Sequence, residues 1–370
     1  MSHFSLTDLT LVIPAYNRPT YLARQIDYWA GSGVHLCILD GSKNSADPEL
    51  IARMGPDVHY EYMPIGFNER LVHASKIVKT KYVALLGDDE LYVMQGLRDC
   101  MDLLDADERL IGCVGRSLFF FHREGEIYGH QVYEKSQNVD GMYGGNIERL
   151  INSFPHGDPS GAPYLLYGVF RKEQWCTMFG NAYARHYSSG YVYELALIII
   201  GACLGPTKMV DSLVWLRSGE NPPMSSAAVN RKISTGEWGT SREYAMEYED
   251  FLQRITEVLA RLGIATASEV QQAVREVAEQ FFAYSLHKPH RPIAYWHRVL
   301  SFAAKNTPRW VKTLLKQNMT KTLGTVLDYK GVAFDDALEQ LNDAGVTFNQ
   351  EEMNDLRTFL LTFHSTLRAI

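Results

Sequence analysis

The sequence contains no Cys-x-x-Cys pair; its five cysteines, Cys37, Cys100, Cys113, Cys176 and Cys203, are scattered. A disulfide scaffold and a zinc ribbon are both disfavoured, and a reducing compartment fits best. The histidines show no HExxH or HxxxH spacing, which argues against a zinc hydrolase site. No GxGxxG follows either of the early apolar runs, so a dinucleotide-binding loop is missing. The longest strongly apolar stretch, Leu195 to Leu204, is about half a bilayer span. The opening MSHFSLTDLT lacks a basic start followed by an apolar core, which predicts a cytoplasmic protein. Basic residues are not in excess: 36 Lys and Arg face 43 Asp and Glu, a formal charge of -7. Nucleic acid is therefore a poor candidate partner.

What is present is material for a core. Hydrophobic residues make up 46% of the 370 positions and charged ones 21%, enough for domains of roughly 100–200 residues each. The run Leu9-Thr10-Leu11-Val12-Ile13, closed by Pro14, predicts a buried strand. Helical spacing follows at Leu22, Ile26 and Trp29, with Pro19 in the first turn, where its missing N–H costs nothing. Val34 to Leu39 and Val58 to Tyr62 predict two more strands. A helix with Phe67, Leu71, Ala74 and Val78 on one face leads into a strand from Tyr82 to Leu86. Alternation at this interval calls for a mainly parallel α/β sheet covered on both faces. Ligands of such sheets bind outside the carboxyl ends of the strands, which points at the loops Pro14–Arg18, Asp40–Ser45 and Gly87–Glu90.

Later segments are less regular. Ile111–Val114 and Leu118–Phe121 predict short strands, followed by a polar, Gly-rich stretch from Arg123 to Asn146. A helix is expected near Asn146–Ser153, another over Tyr193–Leu204 ending at Gly205-Pro206, and a strand over Val210–Leu216. Ser218 to Ala228 suggests a linker or lid. Beyond about Ser241 the apolar spacing is helical, and the expected division is a catalytic domain over 1–224 and a helical region over 225–370.

The sharpest chemical feature is LLGDDE, residues 85–90. Gly87 permits a tight turn, and Asp88, Asp89 and Glu90 crowd three carboxylates into one loop. Such groups repel unless hydrogen bonds or a cation hold them, and Mg²⁺ or Mn²⁺ shared with substrate phosphates is the usual remedy. The structural alternative is an acidic turn capping a helix that starts near Leu91. Together, VIPAYNRP, ILDGS and YVALLGDDE, in that order, resemble the nucleotide-binding half of family-2 glycosyltransferases with the GT-A (Rossmann-like) fold, over about residues 8–220.

The resemblance implies that Pro14, Ala15, Tyr16 and Arg18 line a nucleotide pocket, with Tyr16 stacking on the base and Asp40 accepting from base or ribose. It implies that Asp89 contacts a divalent metal (Mn²⁺ or Mg²⁺) beside Asp88. The sequence departs from the family where Gly87 replaces the first Asp of the DxD motif, and where Asp40-Gly41-Ser42 shortens the usual Asp-Asp-Gly-Ser. The resemblance places Glu194, in Tyr193-Glu194-Leu195, as the base that deprotonates an acceptor hydroxyl, and desolvation there would raise its pKa. Arg217 is implied as a clamp on the diphosphate, while His156 and Asp158 are candidate acceptor contacts. Together these imply a metal-dependent, inverting glycosyltransferase acting on a nucleotide-diphosphate sugar and a glycan or lipid-linked acceptor, in surface polysaccharide or glycoconjugate assembly. Two alternatives use similar parts: a sugar nucleotidyltransferase, disfavoured because PAYNRPTYL has no glycine, and a degenerate GT-A module that binds without turnover.

Residues 288–321 hold eight Lys and Arg with no Asp or Glu, interleaved with Tyr295, Trp296, Phe302 and Trp310. This composition suits a solvated helix face, a peripheral contact with the inner face of an anionic membrane, or a grip on an anionic acceptor. The C-terminal helices are equally compatible with an acceptor platform or a homo-oligomer interface.

Overall fold

The structure is a computed structural model that describes residues 6–132, 144–159, 165–221, 233–287 and 331–367. The charged, aromatic stretch 288–321 and most of the expected lid lie outside the described residues.

Four strands build the parallel half of the sheet: β1 (Leu9–Ile13), β2 (His35–Asp40), β3 (Val58–Tyr62) and β4 (Tyr82–Leu85), in the spatial order β4-β1-β2-β3. Each pair is parallel, with Val12 opposite both Cys37 and Leu85. The sheet continues past β4 through β8 (Val169–Arg171), β6 (Gly112–Arg123), β7 (Glu126–Val132) and β10 (Val332–Ala333), while β9 (Thr207–Ser218) runs parallel to β6 and pairs with β5 (Leu91–Tyr92). The expected mixed α/β sheet with helical layers and C-terminal helices is present.

Period-2 alternation sends neighbouring residues of β1 to opposite faces. Leu11 and Ile13 pack with Leu22, Ile26 and Trp29 of α1 (Pro19–Trp29) and with Leu97, Cys100 and Leu104 of the helix over Met94–Ala106. Val12 faces the other way, onto Leu71 and Ala74 of the helix Phe67–Ile77 and onto the apolar helix Tyr191–Leu204. The helices at 235–240, 245–261 and 267–287 extend that second layer. The segment 331–367 goes elsewhere: Phe334, Leu338, Leu341, Met353 and Leu360 cover Leu118, Phe120, Leu213 and Leu216 on β6 and β9. The chain after residue 225 thus contributes to two different layers, and one of its pieces adds a strand to the sheet.

Three local features differ from expectation. The two strands expected at 111–121 are one strand, β6, whose register against β9 slips near Val114–Arg116. The polar stretch after Arg123 holds β7, joined to β6 by Glu124 (φ 55°) and Gly125 (φ 93°). Two consecutive left-handed residues are the type I′ geometry that matches strand twist. Finally, the acidic turn 88–90 does not cap a helix. Two residues of β5 intervene, and the helix at Met94 takes its cap from a distant carboxylate. Glu352 accepts from the backbone N–H of Met94 at 2.5 Å and of Gln95 at 3.2 Å.

Glu352 therefore ties the C-terminal helix Gln350–Leu367 to the helix Met94–Ala106. Replacing Glu352 with Ala should lower stability by about 1–2 kcal/mol, the usual value of a helix N-terminal cap. Urea unfolding should show a lower midpoint with an unchanged slope.

Candidate functional site

The carboxyl ends of β1, β2 and β4 bring three loops together. Pro14 ends β1, and the chain turns at Asn17, whose φ of 54° is left-handed, a conformation asparagine tolerates. The Asn17 N–H donates to Ser42 Oγ at 2.7 Å, and its Oδ1 accepts from the Lys43 N–H at 3.0 Å. Gly41 N–H donates to the Ala15 carbonyl at 3.0 Å. Beneath both loops lies Arg70, 2% exposed, whose Nη1 donates to Ala15 O at 2.6 Å and Leu39 O at 2.7 Å. A Cβ at Gly41 would sit 2.6 Å from the Arg70 guanidinium carbon, so only glycine allows this approach.

Asp40 turns inward. It is 2% exposed, and its two oxygens accept from Ser42 N–H at 2.9 Å and Tyr60 O–H at 2.8 Å. It shapes the loop from within. Tyr16 is the opposite case: its backbone N–H donates to Asp88 Oδ2 at 3.2 Å, while the side chain is left 39% exposed.

Arg18 closes the first loop onto the third. Its Nη1 lies 2.8 Å from Asp88 Oδ1 and 3.0 Å from Asp89 Oδ2. Arg24 and Gln25, from the buried side of α1, hold the backbone of the same loop. Arg24 Nη2 donates to Asp89 O at 2.6 Å, and Gln25 Nε2 donates to Asp88 O and Glu90 O at 3.1 and 2.6 Å. Asn221 Nδ2 then donates to Asp89 Oδ2 at 3.0 Å. The Asp88 pKa is raised by burial and by the Asp89 charge, against the pull of Arg18. The Asp89 pKa is raised by burial, against Arg18 and Asn221.

The acidic trio is in fact a pair and a single. Glu90 folds back beneath the turn, near Gly87 N–H and Trp215 Nε1, each 3.3 Å from its Oε2. Burial, then the Asp89 charge, pushes its pKa up to about 8, so it is largely a neutral acid at pH 7. Its inward turn also explains Gly87, because a Cβ there would meet the Glu90 carboxylate at 2.8 Å. Extending the antiparallel pairing of Leu91 with Leu216 by one residue sets half-buried Arg217 opposite Glu90, and the Arg217 charge draws the Glu90 pKa down.

Glu194 lies on the same side of the sheet, reached by another route. The helix Lys172–Ala182 leaves Arg171, which pairs with Tyr82 at the start of β4, and ends beside Tyr183, packed on Phe67 5.8 Å away. Phe67 begins the helix that follows β3, so this is the carboxyl side of the sheet. The helix Tyr191–Leu204 returns from there, putting half-buried Glu194 in its first turn. Tyr193 packs behind it, its hydroxyl accepting from the Tyr187 N–H at 3.0 Å. Of the acceptor candidates, Asp158 hydrogen-bonds Tyr284 on the helix layer, and His156 lies in the short turn Pro155–Gly157.

Sequence reasoning missed Arg24, Gln25 and Arg70, and it pointed to the segment Trp215–Asn221 without giving Glu220 or Asn221 a role of its own. Gln25 carried a signal, since it sits in the stripe Leu22, Gln25, Ile26, Trp29, and a polar group on a buried stripe needs partners.

No family model and no curated protein matches the sequence. Among solved structures, the chain is similar to Staphylococcus aureus TarS. The TarS 1–349 complex with UDP-GlcNAc aligns at 12% identity and a TM-score of 0.46, covering 83% of each chain. The TarS 1–349 complex with UDP aligns at 11% identity and a TM-score of 0.38, covering 68% of this chain and 71% of that one.

Buried Glu90 makes a sign-definite prediction. Its folded pKa lies above that of the unfolded chain, so the native state retains the proton. That contribution is complete below about pH 4.5 and is lost as pH rises towards 8. In metal-free buffer, Glu90→Gln should flatten the decline in stability between those values. It should be more stable than wild type near pH 8 by on the order of a few kcal/mol, read from urea midpoints at each pH.

Proposed function

We propose that the protein is a glycosyltransferase that moves a sugar from a nucleotide-diphosphate donor to an acceptor hydroxyl with inversion. The observation that carries this reading is the convergence of three loops, far apart in sequence, on one sheet rim. There Asp88 and Asp89 meet Arg18, and Glu194 opens a helix on the same side.

A divalent cation fits this rim in a shared mode. Among the described residues no group of three His, Cys, Asp or Glu side chains is arranged to hold a metal. Yet Asp88 and Asp89 share one ion-pair partner, Arg18, leaving a carboxylate charge for a cation to offset. Asp89, beside Asp88, would hold Mn²⁺ or Mg²⁺ jointly with donor phosphate oxygens. Bound there, the cation supplies neutralisation of the departing diphosphate.

The chain's own groups do the rest. Tyr16 offers an exposed aromatic face to the base, while Asp40 and Arg70 fix the loops beneath it. Arg18 and Arg217 place guanidinium charge beside the diphosphate. Glu194 accepts the proton of the acceptor hydroxyl as that oxygen bonds to the anomeric carbon and the bond to the diphosphate breaks. One in-line displacement inverts the carbon. The acceptor is a glycan or lipid-linked hydroxyl, consistent with assembly of a surface polysaccharide, and the basic stretch 288–321 suits an anionic membrane or acceptor. No described helix is long and apolar enough to cross a membrane.

One observation favours a second reading, binding without turnover: Arg18 Nη1 already bridges both aspartates. Catalysis separates the two. A thermal-shift series with uridine, guanosine and thymidine diphosphate sugars should give one donor that raises the melting temperature, more so with Mn²⁺. With that donor, Asp89→Asn and Glu194→Gln should each lower transfer by about 10²–10⁴-fold while melting near wild type. Wild-type rates in both variants would overturn the site assignment, and absence of hydrolysis and transfer in wild type would favour the binding module.

A further inference from the structure

The far C-terminus of the described chain reaches the candidate site. His364 and Phe363 lie on the helix Gln350–Leu367, more than a hundred residues after the last loop of the rim. His364 Nε2 hydrogen-bonds Glu220 Oε1, and the other oxygen of Glu220 accepts from Arg24 Nη1 at 2.8 Å. Arg24 in turn holds Asp89 O, and Asn221, the next residue after Glu220, holds the Asp89 carboxylate. The assembly is buried: the Arg24 and Glu220 side chains are 0% and 3% exposed. Rings brace it on two sides. The Arg24 guanidinium sits 4.6 Å from the Tyr21 ring and 4.7 Å from the Phe363 ring. The His364 ring stacks on His122 of β6, with centroids 4.0 Å apart and planes within 7°.

A surface helix docking for stability alone needs none of this polar chain. Burying three ionisable groups is costly unless each is paired, and pairing here serves to hold the turn 218–221 against the acid loop. We infer that His364, braced by Phe363, is a positioning residue of the proposed donor site. Acting through Glu220, it fixes Arg24 and the Asn221 turn, and so sets the Asp89 carboxylate. This rests on the glycosyltransferase reading for its consequence in turnover, but the positional link itself can be measured without a substrate.

The test uses the full chain as wild type, His364→Ala, His364→Gln, Phe363→Leu and Glu352→Ala. Glu352 anchors the same helix at its other end, away from the rim, and serves as the control for docking alone. Hydrogen–deuterium exchange of the ligand-free proteins is read over residues 86–90 and 216–221. His364→Ala should speed exchange there by about tenfold, Phe363→Leu by less. His364→Gln, whose Nε2 can still donate to Glu220, should restore protection, and Glu352→Ala, which lowers global stability and uncaps Met94 and Gln95, should speed exchange at 86–90 and 216–221 no more than in the rest of the chain. With the donor found by thermal shift, His364→Ala should lower kcat by at least about tenfold with a smaller change in KM, and His364→Gln should recover most of it. Unchanged exchange in His364→Ala, or equal loosening of these segments relative to the rest of the chain in Glu352→Ala, overturns the inference. Such local loosening confined to His364→Ala, in a protein whose wild type turns over no sugar nucleotide, supports the link and overturns the transferase reading instead.

Discussion

Everything at the sheet rim depends on how a few buried charges are balanced. Asp88, Asp89 and Glu220 are carboxylates largely withdrawn from water, and each raises the cost of ionising its neighbours. Arg18 and Arg24 are their arginine ion-pair partners, the first at the N-cap of α1 and the second inside that helix. The position of α1 is therefore an electrostatic requirement as well as a packing one. Its apolar face is fixed by Leu22, Ile26 and Trp29, and that face sets where both guanidinium groups meet the acid loop. Glu90 escapes the crowd by another route, staying protonated to about pH 8 against Trp215.

The parallel half of the fold was legible because its signals are local and strong. β1, β2 and β4, buried on both faces, read as near-continuous apolar runs, and the 3.6-residue spacing of Leu22, Ile26 and Trp29 has one interpretation. The antiparallel half was harder to read. β7 is polar enough on one face to pass for a loop, and its strand character comes from pairing with β6 and from the two left-handed residues of its turn. The β-slip near Val114–Arg116 broke one strand into two apparent ones for a similar reason.

At the site, residues within a motif were legible and residues brought in from afar were not. Tyr16, Arg18, Asp88 and Asp89 sit in short patterns whose chemistry can be named from type and order, and the structure brings these four together. At Asp40 residue type suggested a ligand contact, and the structure adds a second role the type does not reveal, a brace for the loop through Ser42 N–H and Tyr60 O–H. Arg70 and His364 had no pattern to betray them. Their roles come from tertiary distance, a guanidinium under two loop carbonyls and an imidazole against Glu220.

The glycine at position 87 follows from the same economy of charge. A carboxylate at position 87 would enter space already used by the Glu90 side chain, with Asp88 and Asp89 adjoining. Four acids in one turn would then face the charges of Arg18, Arg24 and Arg217. Gly87 and the inward Glu90 form a compensated pair: removing the side chain at one position makes room for a neutral, buried acid from another. The loop consequently presents two carboxylates to the rim, with Asp89 the one further fastened by Asn221. Because Asn221 adjoins Glu220, the position of that carboxylate is set jointly by α1, by the end of β9 and by the C-terminal helix.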